Sequence, residues 1–474
     1  RTAHRADWEE YRMMHPTVDI KTFFKPGTRV HLAGIGGVSM SALAELLLHL
    51  GAKVTGSDRT ETDVTDKLAK LGASITYAHL PENVDSADLV IRTAAVHDDN
   101  PEIAHARELG IPVMERAQAW GKIMLEYKHA VCVSGTHGKT TTTSMLTMIG
   151  IECGSDPTVM VGSNLDAIGG TLRIGAHDYF IAESCEYTNS FLSFHPTVAV
   201  VLNVDADHLD FFKDIDDIIH SFHRFCELVP ENGAIVVNHD SANAMKAVAG
   251  IDRTCITFGT TPEADVYPEN VTDNHGYYSF DVMHKGKLFT HVDLSVPGRH
   301  NMLNALASCA VCIFIGLDPE KSAAGLKKFT GSSRRFQLTG HMANGATVID
   351  DYAHHPTEMT ATLKTAREMD FDRILCVFQS HTYSRTKALL PQFVEALKLC
   401  DKAIVADIYA AREKNTFGIS GKDIADQLDG GEYYPSFEQI EARVREIAQP
   451  NDLIITMGAG NINSIGPKLC VDAK

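Results

Sequence analysis

The segment CVSGTHGKTTTTSML, residues 132–146, places two glycines and a lysine directly before a run of threonines. Apolar residues precede it and a helical pattern follows it, which is the strand–loop–helix order of a phosphate-binding loop. The usual G-x-x-x-x-G-K-[ST] pattern requires a glycine at position 133, where this chain has Val133. The loop therefore predicts ATP binding with a spacing of its own. The residues expected to hold phosphates are Gly135, Thr136, His137, Gly138, Lys139, Thr140 and Thr141.

Two further side chains follow apolar strands and are candidates for holding a metal ion near Lys139. Glu183 closes the stretch DYFIAE, and His208 lies in NVDADHLD after the next apolar run. Carboxylate oxygens and imidazole nitrogens both serve as metal ligands in proteins. The alternative interpretations are a solvated loop acid for Glu183 and a helix-capping or packing histidine for His208.

A glycine-rich turn, AGIGGVSM, follows a predicted strand and precedes a predicted helix. Gly34, Gly36 and Gly37 resemble the start of G-x-G-x-x-G, with Ser39 in the last place, and Asp58 ends the next strand. Amides at a helix N-terminus attract a diphosphate whatever group it carries. The turn therefore predicts a diphosphate ligand, in a nicotinamide cofactor or another nucleotide, with a tight turn that binds nothing as the alternative.

The elements that position these residues fall into three α/β blocks. Residues 28–124 alternate short apolar strands with helical stretches, and a second block opens at HAVCVSGTHGKT and includes a β-rich stretch near 252–297. A third block starts near RRFQLTG, and its predicted strands end in polar residues, where a parallel sheet places its ligand crevice. The predicted linkers lie near residues 122–129 and 326–334.

Composition narrows the functional classes. A chain of 474 residues with 44% hydrophobic residues can form about three domains. No apolar run approaches the ~20 residues of a membrane-spanning helix, and the first twenty residues have no apolar signal core, so we expect a cytoplasmic protein without membrane insertion. The net charge of −18 disfavours nucleic acid as a partner. Cys309 and Cys312 form a C-x-x-C pair without a second ligand pair nearby, which favours buried helix cysteines over a metal site.

Further motifs make a family resemblance specific. The loop GTHGKTT resembles the ATP loop of the Mur ligases and folylpolyglutamate synthetases. The stretches YFIAESCEYTNSFLSFHPTVAVVLNVDADHLDFF, VPGRHNMLNALA, DDYAHHPTE and HTYSRT resemble the Mur ligases, over about residues 31–460. The resemblance implies an α/β protein of three domains. These are a Rossmann-like UDP-binding domain at 25–124, a central phosphate-loop ATPase domain with a parallel sheet and a small β-rich part at 125–328, and a Rossmann-like amino-acid-binding domain at 329–474.

The resemblance also implies an activity, that of an ATP-dependent, ADP-forming amide ligase in cytoplasmic peptidoglycan precursor synthesis. The motifs are most similar to the branch that joins L-alanine to the lactyl carboxylate of UDP-N-acetylmuramate through an acyl phosphate; the alternative is the branch that recycles murein tripeptide. The expected ligands are these substrates with ATP and Mg²⁺, two ions per site, and the expected state is a monomer or homodimer. A nicotinamide-linked oxidoreductase leaves GTHGKTTTT unexplained, and intact Lys139, Glu183 and His208 count against a non-catalytic nucleotide-binding regulator.

Roles for residues around the nucleotides follow from the same resemblance. The glycine turn is assigned to UDP, with no nicotinamide cofactor. The expected UDP-sugar-binding residues are Gly34, Gly36, Gly37, Val38, Ser39, Ser57 and Asp58. At ATP the resemblance implies Asn304 on adenine with His300 nearby, Arg334 or Arg335, and Asp351 on the ribose; for Asn301 ordinary N-capping of the helix is the favoured alternative. The expected metal ligands are Thr140, Glu183 and His208.

The amino-acid site is expected in the third domain. Arg385 in HTYSRT can bind the alanine carboxylate bidentately. Thr382 stands where many relatives have a basic residue, which puts a clamp of two arginines in doubt. His354 or His355 is expected to accept a proton from the alanine ammonium, or to cap the helix beside Pro356.

Overall fold

The computed structural model describes residues 25–176, 178–209, 211–411 and 413–473. Its internal contacts divide the chain into two compact units, one of residues up to 128 with 193–195, the other of residues 129–192 and 196 onwards. The first unit has one β-sheet and the second has two. The first twenty residues, whose lack of an apolar signal core predicts a cytoplasmic protein, lie outside the described residues. Among the described helices, none is long and apolar enough to cross a membrane.

The first unit is built on a parallel sheet of five strands in the order β3-β2-β1-β4-β5. Its elements are β1 (Arg29–Ala33), α1 (Val38–His49), β2 (Lys53–Ser57), α2 (Asp63–Lys70), β3 (Ser74–Thr76), β4 (Leu89–Arg92), α3 (Pro101–Glu108), β5 (Val113–Glu115) and α4 (Arg116–Met124). The chain leaves β1 on one side towards β2 and later returns on the other side as β4. Such a switch opens a crevice at the carboxyl ends of the strands, where the glycine-rich turn lies.

The second unit begins with a ten-stranded sheet in the order β15-β14-β13-β12-β11-β10-β6-β9-β7-β8. Its strands are β6 (His129–Ser134), β7 (Thr158–Leu165), β8 (Gly170–Arg173), β9 (Tyr179–Glu183), β10 (Val198–Val201), β11 (Ala234–Asn238), β12 (Thr254–Phe258), β13 (Val266–Asn274), β14 (Tyr277–His284) and β15 (Lys287–Asp293). Its helices are α5 (Lys139–Glu152), α6 (Ile215–Glu227), α7 (Ala242–Val248), α8 (Arg299–Ile315) and α9 (Pro319–Lys328). β6 is buried between β9 and β10, so the phosphate loop that follows it starts from the middle of the sheet.

The last sheet has six strands in the order β16-β17-β21-β18-β19-β20, and only β16 is antiparallel to its neighbour. Its strands are β16 (Gln337–His341), β17 (Thr347–Asp351), β18 (Arg373–Phe378), β19 (Lys402–Val405), β20 (Glu432–Tyr433) and β21 (Asp452–Met457). Its helices are α10 (Pro356–Glu368), α11 (Tyr383–Leu397), α12 (Lys422–Ala425), α13 (Phe437–Ile447) and α14 (Ile465–Leu469). Asp351, predicted to bind ribose, ends β17, and Arg385, predicted to bind alanine, lies in the first turn of α11 after β18.

The predicted α/β class with largely parallel sheets is confirmed. The β-rich stretch extends the central sheet as antiparallel β13, β14 and β15, joined to β12 through the parallel pair Phe258 and Val266. Cys309 and Cys312 are free and buried in α8, as the sequence predicts. The domain boundaries at 124 and 328 stay predictions, because the contacts give a single division near residue 128.

Candidate active site

The phosphate loop leaves β6 at Ser134 and enters α5 at Lys139. Gly138 has a left-handed backbone with φ of 83°, and a Cβ there would lie 2.7 Å from Oδ1 of Asn304. A side chain at this position would meet both a steric clash and backbone strain. The glycine brings the loop close to α8, and His137 and Gly138 of the loop line one cavity together with Asn304 of that helix.

Lys139 turns back over its own loop. Its Nζ donates to the carbonyl oxygens of Gly135 and Thr136 and lies 3.1 Å from Oε2 of Glu186. Burial lowers the pKa of Lys139, but the negative charge of Glu186 outweighs it and raises the pKa above its ordinary value. The lysine therefore stays charged. Sequence reasoning missed Glu186, although it lies three residues after Glu183 in ESCEY.

The three predicted metal ligands are divided between two carboxylates: Thr140 lies beside Glu183, and His208 lies beside Glu186, which was not predicted. Oγ1 of Thr140 donates to Oε2 of Glu183 over 2.9 Å, beside Lys139, and the Gly162 amide donates to the same oxygen over 2.8 Å. His208 has Nε2 4.0 Å from Oε1 of Glu186 instead. In the described part of the chain, no group of three or more His, Cys, Asp or Glu side chains is arranged to hold a metal. Hydroxyl and carboxylate oxygens next to a phosphate loop nonetheless fit Mg²⁺, which takes few protein ligands and completes its shell with phosphates and water.

A cavity of about 210 Å³ opens beside the phosphate loop. It lies between the ten-stranded and six-stranded sheets of the second unit and is lined from both. The lining includes His137, Gly138, Thr141, His300, Asn304, Arg335, Asp351 and Glu358. The structure thus brings most of the residues predicted for ATP to one place.

The adenine candidates Asn304 and His300 lie on the first turns of α8. The Asn304 amide bonds to Oδ1 of Asn301 at 3.1 Å and accepts from Thr142 at 3.3 Å, so a purine would have to compete for it. Burial and the Arg335 charge lower the pKa of His300 to about 4, which leaves it neutral. The N-cap prediction for Asn301 is wrong: Gly298 occupies the cap, and Asn301 donates to the Pro297 carbonyl from inside the helix.

The adjacent residues Arg334 and Arg335 point to different places. Arg334 donates to Asp350 over 2.8 Å and to the carbonyl of Gly458, contacts within the C-terminal sheet, and it does not line the cavity. Arg335 lines the cavity and has Nη1 3.4 Å from Oε1 of Glu358. The Arg334 guanidinium is thus bound to Asp350 of β17 and to the Gly458 carbonyl, while Arg335 is the one of the two that lines the cavity; the role of either arginine at ATP stays a prediction.

Asp351, predicted on the ribose, ends β17 and also lines this cavity. Its carboxylate accepts from the amides of Phe336 and Ala353 and from Thr362. Burial raises its pKa to about 6 even though Arg335 and these donors act in the opposite direction. Its hydrogen-bonding capacity is therefore partly taken up by its own domain.

A second cavity, of about 740 Å³, is lined by Arg385 and Thr382 of the predicted amino-acid site, whereas His354 and His355 are not among its described lining residues. Among its lining residues, Arg385 donates Nε and Nη2 to the same oxygen of Asp207, over 3.2 and 2.9 Å, and Nη1 lies 3.2 Å from Nδ1 of His381. Burial raises the pKa of Asp207, but Arg385 and His208 outweigh it and hold the pKa well below its usual range. Arg385 thus enters the cavity already paired with an acid that sequence reasoning did not select as its partner.

The two histidines of DDYAHHP have different environments. His355 is the N-cap of α10, and its Nδ1 accepts from the Thr357 amide over 3.3 Å, which gives it the capping role. His354 makes no such cap; its Nδ1 lies 3.1 Å from the Tyr352 carbonyl. Of the two, His354 is thus the candidate that stays available for proton transfer.

The glycine turn of the first unit has the backbone that its sequence predicts. Gly34 has φ of 82°, and a Cβ there would lie 2.6 Å from Cγ2 of Thr93. The Gly36 amide donates to Asp58 over 2.8 Å, so this carboxylate braces the turn. Ser57 is buried and donates to Glu102 over 2.7 Å, which turns its hydroxyl towards the protein interior.

The two residues at the helix start differ in exposure. Val38 is 59% exposed, and Ser39 accepts a hydrogen bond from the Trp120 indole over 3.2 Å. A ligand at the amides of α1 would lie beside an exposed apolar side chain. The UDP roles of all these residues stay predictions.

A phosphate loop at the end of a parallel sheet, facing a cavity shared with a further α/β domain, defines a nucleotide-dependent enzyme. Comparison with known families is specific. Residues 29–128 match the family model described as "Mur ligase family, catalytic domain". Residues 133–312 match the model "Mur ligase middle domain", and residues 334–460 match the model "Mur ligase, glutamate ligase domain". The chain belongs to the Mur ligase family, as the sequence motifs predict.

Individual relatives narrow the comparison. The UDP-N-acetylmuramate–L-alanine ligase of Caldanaerobacter subterraneus is 47% identical, and the match covers 96% of this chain and 99% of that protein. The enzyme of the same name from Agathobacter rectalis is 49% identical, and the match covers 94% of this chain and 98% of that protein. The crystal structure of a UDP-N-acetylmuramate–alanine ligase from Thermotoga maritima matches with a TM-score of 0.77 and 30% identity, over 93% of this chain and 98% of that one. A murein peptide ligase from Psychrobacter arcticus shares the fold, with a TM-score of 0.67 and 24% identity over 94% of this chain and 98% of that one.

Proposed function

We propose that this protein joins L-alanine to the lactyl carboxylate of UDP-N-acetylmuramate in an ATP-dependent, ADP-forming reaction of cytoplasmic peptidoglycan precursor synthesis. The observation that carries the proposal is the pair of cavities in the second unit, one at the phosphate loop and one at Arg385. Relatives that are 42–49% identical over nearly the whole chain are named for this reaction, which supports alanine over tripeptide.

The first step activates a carboxylate. A carboxylate carbon is a poor electrophile, so the γ-phosphoryl group of ATP is transferred to the lactyl oxygen to form an acyl phosphate. Two anions meet in this step, and positive charge with correct positioning dominates its catalysis. Lys139 supplies a charge beside the loop amides, and Arg335 supplies another on the far side of the cavity.

Mg²⁺ fits the donors around Lys139. Thr140 and Glu183 would hold one ion, and His208 with Glu186 would contribute to a second, which agrees with the two donor pairs. When bound, Mg²⁺ would neutralise the negative charge of the γ-phosphoryl group during its transfer to the carboxylate. Within the protein, Lys139 and the Gly162 amide hold Glu186 and Glu183 in place by direct hydrogen bonds.

The second step forms the amide bond. Arg385 binds the alanine carboxylate and leaves the amine free to attack the acyl phosphate, after which phosphate departs. Asp207 holds the Nε edge of the arginine, so the substrate carboxylate uses the remaining N–H groups. A guanidinium fixed on one edge loses little freedom when it binds the second carboxylate.

Phosphate release tests the proposal. Protein, Mg-ATP, L-alanine and UDP-N-acetylmuramate together should release phosphate in step with amide formation, and omission of any one should stop the reaction. Replacing alanine with L-alanyl-γ-D-glutamyl-meso-diaminopimelate tests the tripeptide alternative. Release without alanine, or faster release with the tripeptide, would contradict the proposed substrate. Sedimentation of the same sample distinguishes the monomer from the homodimer.

A further inference from the structure

Glu358 lies at the centre of a cluster that the motifs did not single out. It is in the first turn of α10, and its side chain is 11% exposed. Its carboxylate lies 3.4 Å from Nη1 of Arg335, 3.4 Å from Nδ1 of His137 and 3.4 Å from Nδ1 of His354. Burial raises its pKa, but the neighbouring His354, His137 and Arg335 outweigh this and hold the pKa of Glu358 well below its usual range. The acid is therefore ionised in the folded protein.

The contacts of His354 define its tautomer. Its backbone amide donates to Oε2 of Glu358 over 3.2 Å, and its Nδ1 lies 3.1 Å from the Tyr352 carbonyl and 3.4 Å from the same carboxylate oxygen. Carbonyl and carboxylate oxygens can only accept, so Nδ1 carries the proton. In a neutral imidazole the other nitrogen, Nε2, is then the acceptor. Within the described part of the chain, no hydrogen bond reaches this Nε2.

The charges around His354 come from three elements. Besides Glu358 of α10, these are Arg385 of α11 and Asp207 of the loop after β10, and the His381 ring lies 6.1 Å away. Burial and Arg385 lower the pKa of His354 to about 4, against the opposing effect of Glu358 and Asp207. His354 is thus neutral at pH 7 and close to the arginine assigned to alanine. The charge of Arg385 is one of the causes of the low pKa of His354. A substrate carboxylate bound to Arg385 would offset this charge and make His354 a stronger base.

We infer that Glu358 is a positioning residue for proton transfer: together with the Tyr352 carbonyl, which takes the Nδ1 hydrogen bond, its carboxylate holds His354 in the Nδ1-protonated form, so that Nε2 accepts a proton from the alanine ammonium. The inference rests on the proposed function. The amine lone pair then forms the C–N bond, and the C–O bond to phosphate breaks with its electron pair on the departing phosphate. The second proton leaves the nitrogen for phosphate or solvent. The Glu358 charge stabilises the imidazolium as it forms, as the acid of a hydrolytic triad does.

A competing role for Glu358 has to be separated from this one. Through His137 and Arg335 the same carboxylate contacts the nucleotide cavity, so its loss could slow phosphoryl transfer instead. The two roles differ in which nucleophile they affect. Hydroxylamine attacks acyl phosphates and is unprotonated at neutral pH, so it needs no proton acceptor before attack.

The experiment therefore measures two products from the full-length protein with Mg-ATP and UDP-N-acetylmuramate: the amide with L-alanine and the hydroxamate with hydroxylamine. Glu358→Gln removes the charge at constant size. We expect it to slow alanine ligation by about 10²-fold, the usual scale of general acid–base catalysis, and to change hydroxamate formation by less than about threefold. His354→Gln should give the same division between the two products.

Two variants serve as controls. Glu368→Gln removes a charge from the far end of α10, where Glu368 accepts a hydrogen bond from Tyr278 over 3.1 Å, and should leave both products at wild-type rates. His137→Asn removes the other histidine beside Glu358 and should slow both products together, because it acts on the phosphate loop. If Glu358→Gln fails to fold, Glu358→Asp is the substitute, because it keeps the charge but moves it away from His354. It should slow alanine ligation more than hydroxamate formation, with a smaller difference between the two rates than expected for Glu358→Gln.

The outcomes are separable. A Glu358→Gln protein that slows both products equally, or neither, overturns the inference while the proposed function stands. A wild-type protein that makes neither amide nor hydroxamate overturns the proposed function itself. Loss of alanine ligation with hydroxamate formation retained, in both Glu358→Gln and His354→Gln, supports the inference.

Discussion

Lys139 Nζ lies 3.1 Å from Oε2 of Glu186, so the cation of the phosphate loop is paired with a carboxylate of its own domain. The pair explains how a half-buried ammonium keeps its charge. It also means that the β- and γ-phosphate oxygens of ATP must displace or share this partner. Since both the acid and the phosphates are anions, removal of the lysine would leave these negative charges without the cation between them.

Lys139→Ala should reduce amide formation by at least about 10²-fold, because loss of one positioned donor at a developing charge costs about 2.7–4 kcal/mol. Binding of UDP-N-acetylmuramate should change little, since the glycine turn belongs to the other unit. Lys213→Ala, which alters a side chain that is 86% exposed, is the matched control. Calorimetric titration with the nucleotide sugar, beside steady-state rates, decides; a Lys139→Ala enzyme with a tenth of wild-type turnover would contradict the assignment.

The arginine pair offers a second prediction. Arg335→Ala should raise the KM for ATP by about tenfold or more, because a charged hydrogen bond is worth about 1.5–3 kcal/mol. Arg334→Ala should instead lower the melting temperature and leave the KM for ATP nearly unchanged, since its guanidinium binds Asp350 and carbonyls of the C-terminal sheet. The reverse pattern would restore the role first predicted for Arg334.

These arginines also show where sequence reasoning ends. The phosphate loop is local: strand, glycines, lysine and helix follow one another, so their placement is predictable from residues 132–146. Arg334 and Arg335 are neighbours in the sequence, and only their tertiary contacts show that Arg334 binds Asp350 and the Gly458 carbonyl while Arg335 lines the cavity. The Asp207–Arg385 pair joins residues 178 positions apart, and no local pattern reports such a pairing.

Glu358 closes the motif DDYAHHPTE, yet nothing in the sequence indicates which side chains it contacts. An acid in the first turn of a helix is ordinary in sequence, because it favours the helix dipole. Its contact with His137 depends on how α10 meets the phosphate loop, over more than two hundred residues of chain. The sequence likewise does not distinguish His354 from His355 as the proton acceptor. The structure does, because His355 is the N-cap of α10. Periodicity and motifs predict the elements, whereas side-chain partners across domains depend on tertiary packing.

Arg385→Ala should raise the KM for alanine by about tenfold or more, with the KM for ATP changed by less than about threefold, because it removes a charge-assisted contact to the substrate carboxylate. Arg385→Lys keeps the charge but loses the fork that binds Asp207 and the substrate together, so its KM should lie between those of wild type and Arg385→Ala. Initial rates over a matrix of both substrates measure this. Equal effects on the two KM values would place Arg385 on the nucleotide.

Glu102 gives a prediction for the first unit. Burial raises its pKa, but the His31 imidazole 3.3 Å away and hydrogen bonds with Asn83, His79 and Ser57 outweigh it and lower the pKa to about 2. The pKa of Glu102 is lower in the folded state than its unfolded value of about 4.3, so the ionised carboxylate stabilises the folded protein above that pH. This stabilisation is lost as the pH falls towards 2. Glu102→Gln should therefore lower the free energy of unfolding by about 1–3 kcal/mol at neutral pH. The difference from wild type should shrink below about pH 4; a constant difference would contradict the charge argument.

The amino-acid cavity predicts selectivity among nucleophiles. Among its described lining residues, Arg385 is the one lysine or arginine, beside the acids Asp207 and Glu413 and the apolar Leu389 and Phe417. That set suits one carboxylate, one amine and a small apolar side chain, whereas a tripeptide with several charges needs further polar partners. L-alanine should react fastest, with L-serine and glycine slower and murein tripeptide negligible. Discrimination against glycine should stay modest, because one methyl group in an apolar pocket is worth about 1–3 kcal/mol. Phosphate release at matched concentrations decides the order, and a tripeptide that outruns alanine would reassign the substrate while leaving the fold and the ATP site as they are.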